Sequence, residues 1–228
     1  MPLKLATYNI HRCVGRDGIS APARIARVVG DIDADVTALQ EVAISAGGTA
    51  NPLTRLAQAA GAHAIAGPTL LDRQGHYGNA LLTRMAPLRV ERLDISLPGR
   101  EPRGAMAVTL PIKGQRVRIL VTHLGLRPTE RRYQMRRLLA RLDDTGTTLT
   151  VLLGDFNEWF TRGRALKCIN RRFGHRAAPA TFPSHRPLLA LDRIWVHPPH
   201  RLISLKVHIE PPATIASDHL PLVADVAL

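Results

Sequence analysis

Eight polar side chains stand at or near the ends of apolar runs, where a turn or core residue would ordinarily serve. Asn9 closes the run that begins at Lys4, Glu41 closes VTALQ, and His123 follows VRILVT. Asp155 and Asn157 follow LTVLLG, Asp192 lies inside LALDRIWV, and Asp218-His219 precede the last apolar run. Gathered at one edge of a sheet sandwich, they form an inventory for metal-assisted phosphoester hydrolysis. That chemistry needs the charge of the phosphate neutralised and an in-line water deprotonated. Carboxylates such as Glu41 are hard oxygen ligands for a magnesium ion that keeps several of its waters. A neutral imidazole beside a carboxylate supplies a base poised near neutrality. Asn and His side chains can donate hydrogen bonds to the non-bridging oxygens where charge builds up.

Each residue also has a plainer explanation. Asn9 suits a strand-end turn, Glu41 a solvated strand end, and Asp155-Phe156-Asn157 an Asx turn. His123 alone would be a structural histidine, and Asp218-His219 a capped turn before Pro221. Asp192 is harder to explain this way, because a buried carboxylate needs a partner. The ordered set, rather than any member, points to chemistry.

The elements that must position these residues follow from periodicity. Strands are expected over Lys4–Ile10, Asp35–Val42, Gly78–Thr83, Leu88–Leu97, Ala105–Ile112, Val117–Leu124, Thr148–Leu153, Leu191–Val196, Leu202–Ile209 and Leu220–Leu228. Ser20 is expected to cap a helix with Pro22 in its first turn and Ile25, Val28, Val29 and Ile32 on one face. Asn51-Pro52 opens a second helix closed by Gly61, and Thr129–Leu142 and Arg164–Phe173 read as two more. Strands outnumber helices and many are joined as hairpins. Two sheets packed face to face with helices outside accommodate that order.

Composition narrows the class. The chain has 228 residues, mean hydropathy near zero and 45% hydrophobic residues, which excludes a disordered or collagen-like polymer. With no repeat or low-complexity linker, residues 1–228 read as one domain, long enough to bury a substantial core. No apolar run approaches the roughly 20 residues of a membrane span, and the first residues do not resemble a secretory leader. Cys13 and Cys168 lack CxxC spacing and suit a reduced, cytoplasmic chain. The net charge of +13 falls mostly in residues 101–228 and favours polyanions, either nucleic acid or an anionic membrane surface on the inner side. Only Lys4, Lys113, Lys167 and Lys206 of the 31 basic residues are lysines, a bias that codon composition alone can produce.

Taken in order, the segments TYNIH (7–11), ALQEV (38–42), YGNALLTR (77–84), PRGA (102–105), VTHLG (121–125), GDFN (154–157), LDRIWV (191–196) and SDHLP (217–221) resemble the endonuclease/exonuclease/phosphatase superfamily. That superfamily includes pancreatic deoxyribonuclease, abasic-site endonucleases, neutral sphingomyelinases and inositol-polyphosphate 5-phosphatases. The likeness spans nearly the whole chain and is greatest to short bacterial members. It implies an α/β fold, a four-layer α-β-β-α sandwich of two mainly antiparallel sheets with helices on the outer faces. It implies Glu41 as principal Mg²⁺ ligand (Mn²⁺ being the alternative ion), with Asn9 and Asp218 beside it. His219 would be the general base, oriented by Asp192. Asp155 and Asn157 would position the nucleophile and the scissile phosphate, and His123 would bind or protonate phosphate oxygens. Tyr77, Asn79 and Arg103 would line the phosphate pocket. Three departures stand out. His11 replaces the aspartate of the abasic-site enzymes. His123 points toward the deoxyribonuclease and sphingomyelinase branches. The glutamate that supports this histidine in pancreatic deoxyribonuclease has no counterpart, leaving His123 without a nameable partner.

The substrate stays open. Arg127, Arg131, Arg132, Arg136, Arg137 and Arg141, followed by Arg162, Arg164, Lys167, Arg171, Arg172 and Arg176, form a phosphate-tracking surface, a docking face for anionic phospholipid, or a merely solvated face. Trp159-Phe160 and Pro187-Leu188-Leu189 read either as an apolar rim for lipid or as core. The leading expectation is a magnesium-dependent phosphodiesterase, a nuclease or a phospholipid phosphodiesterase. Its rival is a catalytically idle basic module that grips nucleic acid or anionic membrane.

Overall fold

The computed structural model describes residues 1–44, 52–72, 75–142, 146–161 and 163–228. Asn51 and Arg162, both used in the sequence reading, lie outside the described residues. The elements run β1 (Leu3–Asn9), α1 (Pro22–Ile32), β2 (Val36–Ile44), α2 (Pro52–Ala59), β3 (His63–Asp72), β4 (Gly75–Thr83), β5 (Arg89–Asp94), β6 (Gly104–Ile112) and β7 (Gln115–His123). There follow α3 (Pro128–Leu139), β8 (Leu149–Asp155), α4 (Arg164–Phe173), β9 (Asp192–His197), β10 (Leu202–Val207), α5 (Ala213–Ala216) and β11 (Leu222–Val226). Six strands make one sheet in the order β10-β11-β1-β2-β4-β3, and five make the other, β5-β6-β7-β8-β9. Pairing is antiparallel except between β1 and β2 and between β7 and β8.

Alternation along each strand builds three apolar layers. Leu3 and Leu5 of β1, Val117, Ile119 and Val121 of β7, Leu149, Val151 and Leu153 of β8, and Ile194 and Val196 of β9 meet between the sheets. The opposite faces carry Ala6 and Tyr8 against Ile25, Val28, Val29 and Ile32 of α1. On the second sheet, Leu120, Leu152 and Trp195 meet Met135 and Leu138 of α3 and Leu166, Ile169 and Phe173 of α4. Helices therefore cover both outer faces, giving the four layers implied by the resemblance. No helix among the described residues is long and apolar enough to cross a membrane.

Several local expectations are corrected. Ala21, not Ser20, precedes α1, and no side chain caps it. Ser20 is instead held in an isolated bridge with Val14. Helix α3 stops at Leu139, short of Leu142. Strand β5 ends at Asp94 rather than Leu97, because the Asp94 carboxylate accepts the Ser96 N–H and turns the chain. The last strand starts only after Pro221, which has no N–H to give to a ladder. Strand β3 and the short helix α5 had no sequence signal specific enough to place them.

Candidate active site

The two parallel pairs bring the chemistry together. Parallel neighbours end at the same sheet edge, so Asn9 of β1 lies beside β2, and His123 of β7 pairs in register with Asp155 of β8. Asp155 in turn pairs with Asp192, the first residue of antiparallel β9. Each continues the inward-facing stripe of its strand, two residues beyond Thr7, Val121 and Leu153 or two before Ile194. Tyr77 and Asn79 likewise continue the inward stripe of Leu81 in β4. The polar residues thus crown the inter-sheet core at one edge.

Glu41 reaches this edge by a bulge. The register between β2 and β4 shifts between Leu39 and Val42, and Glu41 has φ of +58°. The extra residue re-aims a side chain that strict alternation would send elsewhere. Of the seven non-glycine residues with positive φ among the described residues, Asp33 closes α1 and Lys113 makes the β6–β7 hairpin. The other five are His11, Arg12, Cys13, Glu41 and Asn157, in or against the site. Backbone strain of this kind persists only where surrounding contacts enforce it. Gly154 explains another local constraint. Its φ is +143° and a Cβ there would lie 1.9 Å from the Thr122 carbonyl oxygen, so only glycine lets Asp155 sit against β7.

The side chains form one connected network. The Asn9 amide Nδ2 donates to Glu41 Oε1 at 3.1 Å and to Asp155 Oδ2 at 3.0 Å, while its Oδ1 accepts the His11 N–H. The Tyr77 hydroxyl donates to Glu41, and the Arg12 guanidinium lies over the Tyr77 ring at 4.3 Å. Asp155 Oδ1 accepts the Asn157 N–H at 2.8 Å, which is the Asx turn foreseen as the plainer reading, here built into the site. Asp155 Oδ2 lies 3.8 Å from His219 Nε2 and 3.5 Å from His123 Nε2. Glu41 and His219 are therefore joined through Asn9 and Asp155 at a single edge.

His219 Nδ1 donates to Asp192 Oδ2 at 2.8 Å, so the neutral ring keeps its lone pair on Nε2, toward Asp155. Burial pushes the His219 imidazolium down, but Asp192, by charge and hydrogen bond, and then Asp155 and Asp218 raise it to about 10. The ring is therefore protonated at neutral pH unless a cation among these carboxylates offsets their charge and returns it toward the neutral form a base requires. Thr181 Oγ1 donates to the same Asp192 oxygen at 2.6 Å, and Phe182 packs on the His219 ring at 4.9 Å. Ser217 Oγ donates to the Asn9 carbonyl at 2.8 Å and ties the Asp218-His219 turn to β1. Asp218 is half-buried, with Oδ1 3.8 Å from His11 Nδ1.

His123 gains a partner that the sequence did not supply. Arg103 Nη1 donates to its Nδ1 at 3.0 Å, and Arg103 Nη2 to Glu101 at 3.0 Å. A guanidinium can only donate, so Nδ1 accepts and the ring proton sits on Nε2. That nitrogen faces Asn157 Nδ2 at 3.1 Å, donor against donor, so its acceptor is Asp155 Oδ2 at 3.5 Å, while Asn157 Nδ2 donates to the Leu124 carbonyl at 2.9 Å. Burial pushes His123 down to about 3, Arg103 and His219 adding to the effect and Asp155 opposing it, so the ring stays neutral at physiological pH. Asn79 stands apart from this network. It is buried and donates to the Gly104 carbonyl, bridging the sheets at β4 and β6.

Asp155, Asp192 and His219 form a buried cluster whose ligand atoms all lie within 4.8 Å of one another and can coordinate a divalent ion. Asp192 Oδ1, buried and without a hydrogen-bond partner among the described residues, fits such an ion, as does the preponderance of carboxylate oxygens in and around the cluster. Thr181, Ser217, Glu101 and Phe182 were missed in the sequence. Ser217 belonged to a recognised motif, whereas the others carry no local signal because their contacts are made across loops.

The arginine run divides. Arg131 is buried, with Nε and Nη2 on Glu158 at 3.3 and 3.1 Å, and so offers nothing to a polyanion, whereas Arg127, Arg136, Arg137 and Arg164 are exposed. Trp159, Phe160 and Leu188, left open between rim and core, are exposed.

Comparison with known proteins agrees with this architecture. The Escherichia coli K12 protein YbhP, itself described as uncharacterized, is 32% identical over 166 residues, covering 68% of this chain and 64% of YbhP. The chain thus matches somewhat less than two thirds of that relative's length. An endonuclease/exonuclease/phosphatase from Beutenbergia cavernae superposes with a TM-score of 0.80 at 24% identity, over 99% of this chain and 71% of that one. The human Nocturnin catalytic domain, solved with a bound sulfate anion, gives 0.74 at 22% identity, over 99% and 93%. With the sequence pattern of the Endonuclease/Exonuclease/phosphatase family matching residues 6–219, this chain belongs to that family.

Proposed function

We propose that the protein is a divalent-metal-dependent phosphodiesterase, acting on nucleic acid or phospholipid, in which His219 deprotonates the attacking water. The observation that carries this reading is the His219–Asp192 pair at 2.8 Å, with Nε2 turned toward Asp155. A carboxylate on Nδ1 fixes the tautomer and stabilises the imidazolium that forms when Nε2 takes a proton. Glu41 and Asp155, with Asp218 nearby, would hold Mg²⁺ or Mn²⁺, and Asn9 keeps the first two carboxylates at a fixed separation. Such an ion, when bound, neutralises phosphate charge and favours ionisation of water. Asn157 positions the scissile phosphate. His123, locked with its proton on Nε2 by Arg103, donates a neutral hydrogen bond to a non-bridging oxygen. Tyr77 and Arg12 flank Glu41 on the substrate side. Arg103 acts on phosphate through His123, and Asn79 supports the pocket from behind.

The test is hydrolysis of a soluble activated diester, bis(p-nitrophenyl) phosphate, with and without Mg²⁺. Turnover should require the ion and fall by at least ~10²-fold in His219→Ala, the usual cost of losing a general base. Metal-independent turnover, or an unchanged His219→Ala rate, would sink the reading. Polyanion binding without any turnover would instead favour the idle binding module.

A further inference from the structure

Ordinarily, large apolar side chains left in water on a monomer are scattered. Here six of the exposed ones among the described residues, Met1, Ile19, Leu88, Ile203, Ile209 and Ile215, fit that pattern, but Leu126, Trp159, Phe160 and Leu188, with 68%, 61%, 70% and 69% of their surface exposed, lie on loops bordering the site. Trp159-Phe160 follow Asn157 by two residues, Leu126 follows His123 by three, and Leu188 shares a turn with Phe182, whose ring covers His219.

Two of these loops are clamped together. The Leu124 N–H donates to the Asp155 carbonyl, and Asn157 Nδ2 to the Leu124 carbonyl, both at 2.9 Å. One buried guanidinium, Arg131, then grips the Leu126 carbonyl with Nη1 and the Glu158 carboxylate with Nε and Nη2. The loops that carry Leu126 and Trp159-Phe160 are therefore tied together through one side chain. Alongside them run exposed cations: Arg127 next to Leu126, Arg186 near Leu188, and Arg164 at the start of α4.

We propose that this rim docks the protein onto an anionic phospholipid surface, with the site facing the headgroup plane. Trp and Arg together suit the membrane–water interface, where the ring sits at headgroup level and the cation meets anionic lipid. Two of the four apolar groups are leucines, which cannot stack on bases as a nucleic-acid platform requires, whereas acyl chains accept aliphatic and aromatic groups alike. Net charge of +13 supplies the long-range attraction. The inference rests on the phosphodiesterase reading only in making the headgroup phosphate the bond attacked.

The experiment compares wild type with the double variant Trp159→Ser/Phe160→Ser, using phosphatidylcholine vesicles with and without phosphatidylserine. Trp195 is buried and Trp159 exposed, so a blue shift in tryptophan emission on vesicle addition reports Trp159. Wild type should sediment with the anionic vesicles and show the shift. The double variant should bind at least ~10-fold more weakly, since two apolar side chains no longer leave water, yet turn over bis(p-nitrophenyl) phosphate like wild type. Failure of wild type to bind, or equal binding by the variant, overturns the proposal. So does a variant that loses single-stranded DNA affinity while keeping vesicle affinity. Vesicle binding of the expected pattern without diester turnover supports docking and removes only the phosphodiesterase reading.

Discussion

Asp192→Asn keeps the shape of the carboxylate and removes its charge. Its oxygen can still accept from His219 Nδ1 and Thr181 Oγ1, now 2.8 and 2.6 Å away, so the ring should stay in place. What changes is the stability of the imidazolium formed as Nε2 takes the proton from water. Breaking a buried ion pair by removing one partner's charge costs about 3–5 kcal/mol, and each ~1.4 kcal/mol is tenfold in rate. Turnover of a soluble diester should therefore fall by about 10²–10⁴-fold. Because Asp192 is the leading cause that raises His219, the acid limb of the pH–rate profile should also move to lower pH. The decisive assay is a double-mutant cycle with His219→Ala. If Asp192 works through His219, the double variant is no slower than His219→Ala alone. If the two losses multiply, Asp192 acts independently as a metal ligand in the Asp155–Asp192–His219 cluster, and the dyad argument is refuted.

Replacing Glu41 by Gln should weaken Mg²⁺ binding, measured by calorimetry, by at least ~10-fold, because a neutral amide is a poorer ligand for a hard cation; undiminished affinity would place the ion elsewhere. Arg103→Met should lower turnover ~10–100-fold by freeing the His123 tautomer. Nitrogen NMR should find the wild-type ring protonated on Nε2, and a ring protonated on Nδ1 would contradict the assignment. Gly154→Ala should destabilise the fold by at least ~2 kcal/mol in urea titration, given the positive φ and the collision with Thr122; a change within ~0.5 kcal/mol would mean the strand has room to move. The last concerns acid stability. His123 is held neutral in the fold down to about 3, whereas the unfolded ring protonates near 6.5. Unfolded chains thus bind the extra proton between those values, so His123 contributes no pH dependence above 6.5 and lowers stability by about 1.4 kcal/mol per pH unit from there down to about 3. His123→Gln should remove that slope from the difference in denaturation midpoints, and parallel pH profiles for the two proteins would count against it.

The residues themselves specified the layers and the edge at which chemistry gathers. Alternation in LKLATYN, VRILVTH and LTVLLGD continues the apolar stripe into Asn9, His123 and Asp155, and period-2 geometry sends all three to one face whatever the rest of the chain does. The apolar face of α1 was equally legible, because its burial is a local pattern. Ser20 was misread as a cap because a competing bridge to Val14 depends on a turn that local propensity does not encode. Other features required the folded chain. Glu41 enters the site through a bulge set by β4 and not by its own strand. Arg103 reaches His123 from the loop that precedes β6 and fixes its proton, Thr181 meets Asp192 across a loop, and Arg131 turns inward to Glu158. Which strand ends become neighbours depends on two parallel pairings, β1 with β2 and β7 with β8. Those pairings are non-local contacts, decided by how two sheets close over a shared core, and no window of sequence contains both partners.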